Sequence, residues 1–275
     1  IRAIDNAGAT SRWPMFLAPE KEEYLGTIVH DAALSTNIPV YHWFVQSPAA
    51  ADTWAGTRCS LFYDGEFYDN LYVRIKGHSS AGQTKKPHTI EFHSEHKFRL
   101  ARELPRVDEV NLNSLYNDQS YLREWLAWET LRQAGAPYAY NYHVHLRQNA
   151  LFNGLVLAVE QLDGDFLRRL DIPDSGRLYK CGDNQLWLRE LTNYSTMTTY
   201  QLKRPDDGNY APLVQLINAM IGGSSAKQIY AFDYIDIPSV VNYLAAHLLI
   251  QDMDFAHKNY YMYFDTYGKQ EWNIF

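Results

Sequence analysis

Cysteine is almost missing from the chain. The two that occur, Cys59 and Cys181, lie far apart. They make neither a metal-binding spacing nor a disulfide framework, and they leave the redox compartment open. Long apolar runs are missing too: none approaches the roughly 20 residues that span a bilayer. Positive charge is not in excess. The formal net charge is −7, which disfavours a nucleic-acid partner held by the net field. Local basic clusters still suit phosphate. A glycine-rich GxGxxG fingerprint, a P-loop and an internal repeat are likewise absent.

What the chain has in quantity is aromatic residues, with 21 Tyr among 275 residues. Hydrophobic content is ordinary for a globular protein, enough for one large domain or two small ones with real cores. The segment "IRAIDNAGATS" reads as a strand resembling the last strand of a fibronectin-like sandwich, followed by the Pro-punctuated linker "RWPMFLAPE". The chain opens on this strand and stops at "EWNIF", and both ends are expected to be cut from something longer. Residues 1–20 are therefore read as the end of a preceding domain or a linker, and residues 21–275 as one domain.

From 25 to 100 the pattern is strand, with one more short strand at 110–114. "YHWFVQS" is one strand. "CSLFYDGEFYDNLYVRIKG" is a hairpin turning at Asp64-Gly65. "HTIEFH" alternates, with Ile90 and Phe92 on one face, and "VNLNS" is a further strand. A helix over "SYLREWLAWETLRQAG" is capped by Asn117 or Asp118. It carries Leu122, Trp125, Leu126 and Leu131 on its apolar face and stops at Gly135 and Pro137. "YNYHVHLRQNALFNGLVLAVEQLD" is a second hairpin, expected to turn at Asn153-Gly154. A helix begins near Asp163. Residues 174–210 read as a loop-rich insertion, followed by helices over 211–223 and 236–251. Two strands, 259–265 and 270–275, end the chain. Strands first and helices later make an α+β protein.

Three stretches carry chemistry. "QDMDFAHKNYYMYFD" follows an apolar helix and places Asp254 four residues before Asn259. A protein-kinase catalytic loop has this D-x-x-x-x-N spacing, in which the acid receives the substrate hydroxyl proton and the amide holds a metal ion. "VRIKGHSSAGQTKKPHTIEF" places a small polar loop after a strand, with Gly77, His78, Ser79 and Ser80 leading to Lys85 and Lys86. Loop amides cradle phosphates and a Lys on the return strand neutralises them. Period-two counting puts Lys86 on the face of Ile90 and Phe92, so it ranks ahead of Lys85. A solvated basic hairpin tip is the plainer reading. In "NGLVLAVEQLD" a strand ends at Glu160, where a kinase-like plan has its adenine-binding hinge.

In this order the stretches resemble the CotH family of spore-coat kinases and their bacterial relatives. The resemblance runs over about residues 55–275. It is carried by "RIKGHSS…TKKPHTIEF", by "NDQSYLREWLAWE" with Asp118 and Arg123, by "NGLVLAVEQLD", by "GRLYK" with Lys180, and by "DFAHKNYYMY". It implies an atypical protein-kinase-like fold with a strand-rich N-terminal part, a helix-rich C-terminal part and a cleft between them. A closed β-barrel, or a parallel doubly wound sheet, would refute that architecture. It further implies ATP and Mg²⁺ as cofactors, a protein substrate with a Ser or Thr acceptor, and an extracytoplasmic or spore-coat setting. Carried over, Asp254 is the catalytic acid and Asn259, with Asp254, the metal site. Gly77 to Ser80 cover the phosphates, and Lys85 or Lys86 contacts them. Glu129, with Glu124 as the other candidate, orients that Lys. In the family a W-D-x-D-like segment supplies a further metal-binding Asp. Here the sequence reads "KQEWNIF" and ends, so the domain is expected to be incomplete at its C-terminus.

Four rival readings stand beside this one. Asp252-Met253-Asp254 is also a D-x-D, which glycosyltransferases use to hold a metal on a nucleotide sugar, but the alternating β-α units they need are not evident. His143 and His145 share a strand face and suggest a metal, without a third ligand in view. The Tyr-rich late strands suit either a glycan-binding face or an aromatic core. The last alternative keeps the fold and loses catalysis, leaving a binding or coat-assembly module of a larger secreted protein.

Overall fold

The computed structural model describes residues 2–12, 26–29, 31–181, 200–221, 223–252 and 259–275. They divide into two compact units, one of Ile1–Trp125 with Tyr140–Gln161 and one of Leu126–Ala139 with Leu162–Phe275.

The first unit opens with a hairpin, β1 (Arg2–Ile4) and β2 (Thr10–Arg12). The Asp5 carboxylate closes its turn by accepting from the N–H groups of Ala7 and Ala9, both at 2.9 Å. The sequence suggested a single strand here. The rest of the unit is a closed barrel built from β3 (Val40–Val45), β4 (Thr57–Tyr63), β5 (Glu66–Ile75), β6 (His88–Glu91), β7 (Glu109–Asn113), β8 (Asn141–Gln148) and β9 (Leu151–Glu160), in the order β3-β4-β5-β6-β7-β9-β8. Every seam is antiparallel except the last, where β3 runs parallel to β8. A closed barrel is what the expected kinase-like architecture excluded, and for this unit that expectation is corrected. Alternation showed which faces are apolar, but it carries no information about which two edges meet.

The alternation itself holds. Tyr41, Trp43 and Val45 point inward, and Val73, Ile90 and Val110 sit opposite one another across three strands. Burying each such side chain contributes roughly 1.5–3 kcal/mol. The β4–β5 turn is Asp64-Gly65 with φ of 46° and 79°, the left-handed pair that a type I′ hairpin requires.

The β8–β9 turn is not at Asn153-Gly154, as the dipeptide suggested. It is at Asn149-Ala150, with φ of 49° and 71°. The Asn149 amide explains the choice. It accepts from the Val45 N–H at 2.8 Å and donates to the Val45 carbonyl at 3.2 Å. The side chain thus adds one rung to the end of β3.

One end of the barrel is tied by Glu66. Its carboxylate takes Arg106 at 2.8 and 3.0 Å and His96 at 2.8 Å, which pins the β6–β7 connection over the strands.

The second unit receives the body of α2 (Arg123–Gln133) and then contains α3 (Gly164–Arg169), β10 (Arg177–Cys181), β11 (Tyr200–Arg204), α4 (Ala211–Ile221), α5 (Ser224–Tyr234), α6 (Ile237–Ile250), β12 (Tyr261–Phe264) and β13 (Trp272–Ile274). Its sheet is antiparallel in the order β11-β10-β12-β13. Tyr179, Leu213, Ile217 and Trp272 form the core between that sheet and α4.

Three local expectations are corrected. Strands β10 and β11 lie in the stretch read as loop-rich, α5 was not foreseen, and α2 starts at Arg123 rather than around Ser120. Tyr121 at φ 59° cannot belong to a right-handed helix, and Asp118 accepts from the Arg123 N–H at 2.7 Å. Of the expected apolar face, Leu131 is buried, while Leu122, Trp125 and Leu126 remain more than a third exposed. Leu131 and Ala136 pack on Ala246 of α6, and Asn242 donates to the Ala134 carbonyl at 2.7 Å.

Burial alone would raise the Glu66 pKa, but the hydrogen bonds from Arg106 and His96 hold it down, from 4.5 to about 2. A depressed carboxylate pKa stabilises the fold above its ordinary value, and that stability is lost as pH falls through the folded value. Glu66→Gln is therefore expected to lower Tm at pH 7, with the gap from the parent closing between pH 4.5 and about 2. Thermal melts across that range check it; a gap that persists unchanged to pH 2 contradicts it.

Candidate functional site

The loop that joins β5 to β6 emerges at one end of the barrel. Gly77 begins it at φ 81°, a left-handed conformation that favours glycine, and a Cβ there would lie 2.0 Å from the Ser80 Oγ and force that hydroxyl aside. A 3₁₀ turn over Ser80–Gly82 follows. His78 and Ser79 are exposed and Ser80 is half-buried. The Lys76 N–H donates to the Pro87 carbonyl at 3.1 Å and closes the stem.

Three lysines gather on this stem. Lys86 turns back into its own loop, donating to the carbonyls of Ala81 at 2.8 Å and Gln83 at 3.3 Å. Lys85 reaches β9, where it donates to the Leu155 carbonyl and lies 4.9 Å from the centre of the Tyr121 ring. Partial burial lowers its pKa. Gly154 makes room for it. A Cβ at that position would meet the Lys85 Cε at 3.0 Å and Nζ at 3.3 Å. The sequence assigned this glycine to a turn, but it lies within β9 at φ 149°.

Lys76 was not singled out in the sequence, although its place in "RIKG" was visible. It donates to the Asn113 Oδ1 at 3.2 Å, and Asn113 donates to the Glu124 Oε1 at 2.5 Å. A chain of side chains thus runs from β5 through β7 to the first turn of α2. Glu129, the other helix acid considered, is held by its own helix, at 2.6 and 2.7 Å from Arg132 and 2.7 Å from Gln133.

Beside the lysines is a cavity of about 330 Å³, lined in part by Thr84, Lys85, Lys86, His88 and Asp52. His88 is buried and its Nε2 lies 2.9 Å from the Asp52 Oδ1. Burial lowers its pKa against the opposing pull of Asp52. The arrangement offers cationic donors around a small polar space, which is the chemistry of an anion site.

Glu160 is almost wholly buried at the other end of β9 and accepts from the Tyr140 N–H at 3.0 Å. Five residues separate it from Leu155, or roughly 17 Å of strand. Within the barrel, then, Gly77 to Ser80, Lys85 and Lys86 share one end, and Glu160 lies at the other.

In the second unit, Asn259 is exposed at φ 63°, and its N–H donates to the Cys181 carbonyl at 2.8 Å. It is thereby fixed just ahead of β12. Asp252 follows α6 and accepts from the buried His247, at 3.0 Å from its Nδ1. Asp254, His257 and Lys258 lie outside the described residues. Lys180 stands 5.7 Å from the Tyr261 ring.

The rival metal reading of β8 gains no ligands. His143 hydrogen-bonds the Tyr121 carbonyl at 2.6 Å and His145 packs on Phe152. Neither joins a group of three potential ligands among the described residues. The D-x-D alternative needed a parallel α/β sheet, whereas the sheets described here are antiparallel apart from the β3–β8 seam. No helix among the described residues is long and apolar enough to cross a membrane.

The model of the family described as CotH kinase protein matches residues 73–275, well over half of the chain. The chain belongs to this family. The match begins within β5, just before the Gly77 loop, and takes in every site residue considered above except Asp52. No curated protein matches the chain.

Gly154 gives the local arrangement a test. Gly154→Ala is expected to cost about 1–3 kcal/mol through its backbone conformation, and more through the collision with Lys85. Lys85→Ala should relieve only the second part, because it removes the Cε and Nζ that the new Cβ would meet. In denaturant melts the double variant should therefore be more stable than the sum of the two single changes predicts; strict additivity would mean that Lys85 does not occupy that space.

Proposed function

We propose that the chain is an ATP-dependent kinase that transfers a phosphoryl group to Ser or Thr of a protein. The family membership carries this reading, supported by the lysine-rich glycine loop that falls inside the matched region. The architecture is taken to be protein-kinase-like, with a nucleotide cleft. The closed barrel counts against that architecture, and the family membership is what supports it. Residues 21–275 are taken as the kinase domain and residues 1–20 as what precedes it. An extracytoplasmic or spore-coat setting remains the expected location.

The residues fit phosphate. Lys76, Lys85 and Lys86 all spring from the stem of one loop, and the loop offers backbone N–H groups. Lys85 or Lys86 contacts the nucleotide phosphates, and Gly77 to Ser80 cover them. The Lys76–Asn113–Glu124 chain ties the first turn of α2 to the loop stem, whereas Glu129 is held within its own helix, and this favours Glu124 over Glu129 as the orienting acid. Glu160 ends the strand that leads to the adenine-binding segment.

Mg²⁺, when bound, supplies charge neutralisation on the transferred phosphoryl group. The Asn259 amide oxygen and the Asp254 carboxylate are its proposed holders. Asp254 also orients the acceptor hydroxyl and takes its proton. Phosphoryl transfer asks little covalent chemistry of the protein beyond in-line placement and balanced charge. The second reading, an inactive binding or coat-assembly module, shares all of these residues except their turnover.

In the full-length polypeptide, Asp254→Asn is expected to abolish phosphate transfer from ATP and leave the melting temperature unchanged. Asn259→Ala should weaken Mg²⁺-dependent turnover more than nucleotide binding. Asn113→Ala should lower turnover by about 10-fold or more, the equivalent of about 1.4 kcal/mol in the transition state. Radiolabel transfer from ATP measures all three. Wild-type rates in Asp254→Asn would refute the assignment, and a parent that neither binds ATP nor labels protein would leave the assembly module as the better account.

A further inference from the structure

The kinase reading gives no role to Lys180, the basic residue that ends the "GRLYK" stretch inside the matched region. The register of β10 against β12 decides where this side chain stands.

β10 sorts its side chains between two cores. Tyr179 and Cys181 join the core against α4, while Leu178 joins Tyr261, Tyr263 and Phe166 in the core against α3. Alternation therefore puts Lys180 on the α3 side of the sheet, half-buried, near the end of β10. It pairs with Tyr261 across the seam, and its ammonium lies 5.7 Å from the centre of that ring.

The same register brings in Asn259. The Cys181 N–H donates to the Tyr260 carbonyl at 2.9 Å, and the Cys181 carbonyl accepts from the Asn259 N–H at 2.8 Å. Asn259 is thus the diagonal neighbour of Lys180 across the seam. Such neighbours stand about 7–8 Å apart, within reach of a long side chain. The other cation of the strand is committed elsewhere. Arg177 takes the Asp207 carboxylate at 2.9 and 2.8 Å, and it shares the Asn209 carbonyl with the Tyr179 hydroxyl, on the opposite face of the sheet.

Packing does not account for the ammonium. A methionine would cover Tyr261 as well and carry no charge. An ammonium is a compact point charge that suits phosphate oxygens, and contact with a ring face is electrostatic and consumes no N–H donor of its own.

We propose that Lys180 is a further catalytic residue, donating to a non-bridging oxygen of the phosphate that is transferred at the Asn259 site. This rests on the kinase reading above. In the transfer, the acceptor oxygen forms the new bond to phosphorus. The bond to the bridging oxygen breaks with its electron pair passing to ADP, and the acceptor proton passes to Asp254. Lys180 keeps its own proton throughout and offsets the charge on the phosphoryl oxygens.

Titration calorimetry on the full-length polypeptide, with ATP and with ADP in the presence of Mg²⁺, tests this. The parent should bind both. Lys180→Met should weaken ATP about tenfold or more and change ADP by less than about twofold. Radiolabel transfer at saturating ATP should also fall about tenfold or more. A lysine that only covers Tyr261 would move the melting temperature and leave the ratio of ATP to ADP affinity as it is; that result overturns the proposal, as does an equal loss of both nucleotides or transfer at the parent rate. Should Lys180→Met fail to fold, Lys180→Gln carries the same comparison. A parent that binds neither nucleotide overturns the kinase reading and this role together. A parent that binds both, with the ratio unchanged in Lys180→Met, overturns this role alone.

Discussion

The parallel seam between β3 and β8 is the constraint on which the rest of the first unit depends. Every other seam joins strands that are neighbours in sequence or one hairpin apart, while this one joins residues about a hundred positions apart, as the Tyr41–Tyr142 hydroxyl pair shows. Without it the sheet would expose two edges and open its aromatic interior to water. Closing so long a loop costs entropy before any contact repays it. The chain meets that cost with several contacts at once, namely four parallel pairings, the Asn149 amide on Val45 and the tyrosine pair. Seams of this kind form late in folding and slow it.

Much of the fold was legible because alternation and turn chemistry are local. Asp64-Gly65 turned as its residues require, and Asp163 capped α3. The failures were local signals overruled by distant ones. Asn153-Gly154 is the stronger turn dipeptide, yet Asn149 wins because its side chain finds β3. Helix α5 was overlooked because its N-cap is Gly223, which makes no side-chain cap, and its polar residues gave no clear apolar face. The barrel's closure had no local signature at all.

The candidate site divides along the same line. The Gly77 loop and the paired lysines were visible as composition and spacing. Their geometry was not. Period-two counting favoured Lys86 by register, whereas it is Lys85 that extends to β9, because a missing Cβ four strands further along the chain admits it. Lys76 escaped notice because its partner Asn113 sits on a strand that looked wholly structural. Glu160 showed as an ordinary strand-end acid, and the sequence could not reveal that the interior of the barrel swallows it.

The Lys86 ammonium, bound to two carbonyls of its own loop, also sets a threshold for ligands. An anion that recruits this side chain must first release it from the carbonyls of Ala81 and Gln83. Apparent affinity is then reduced by the fraction of molecules already open. A change that loosens the 3₁₀ turn would raise that fraction without touching any group that contacts the anion. On the proposed function, selection on anion affinity has a route through Ala81 and Gln83 as well as through the lysines themselves.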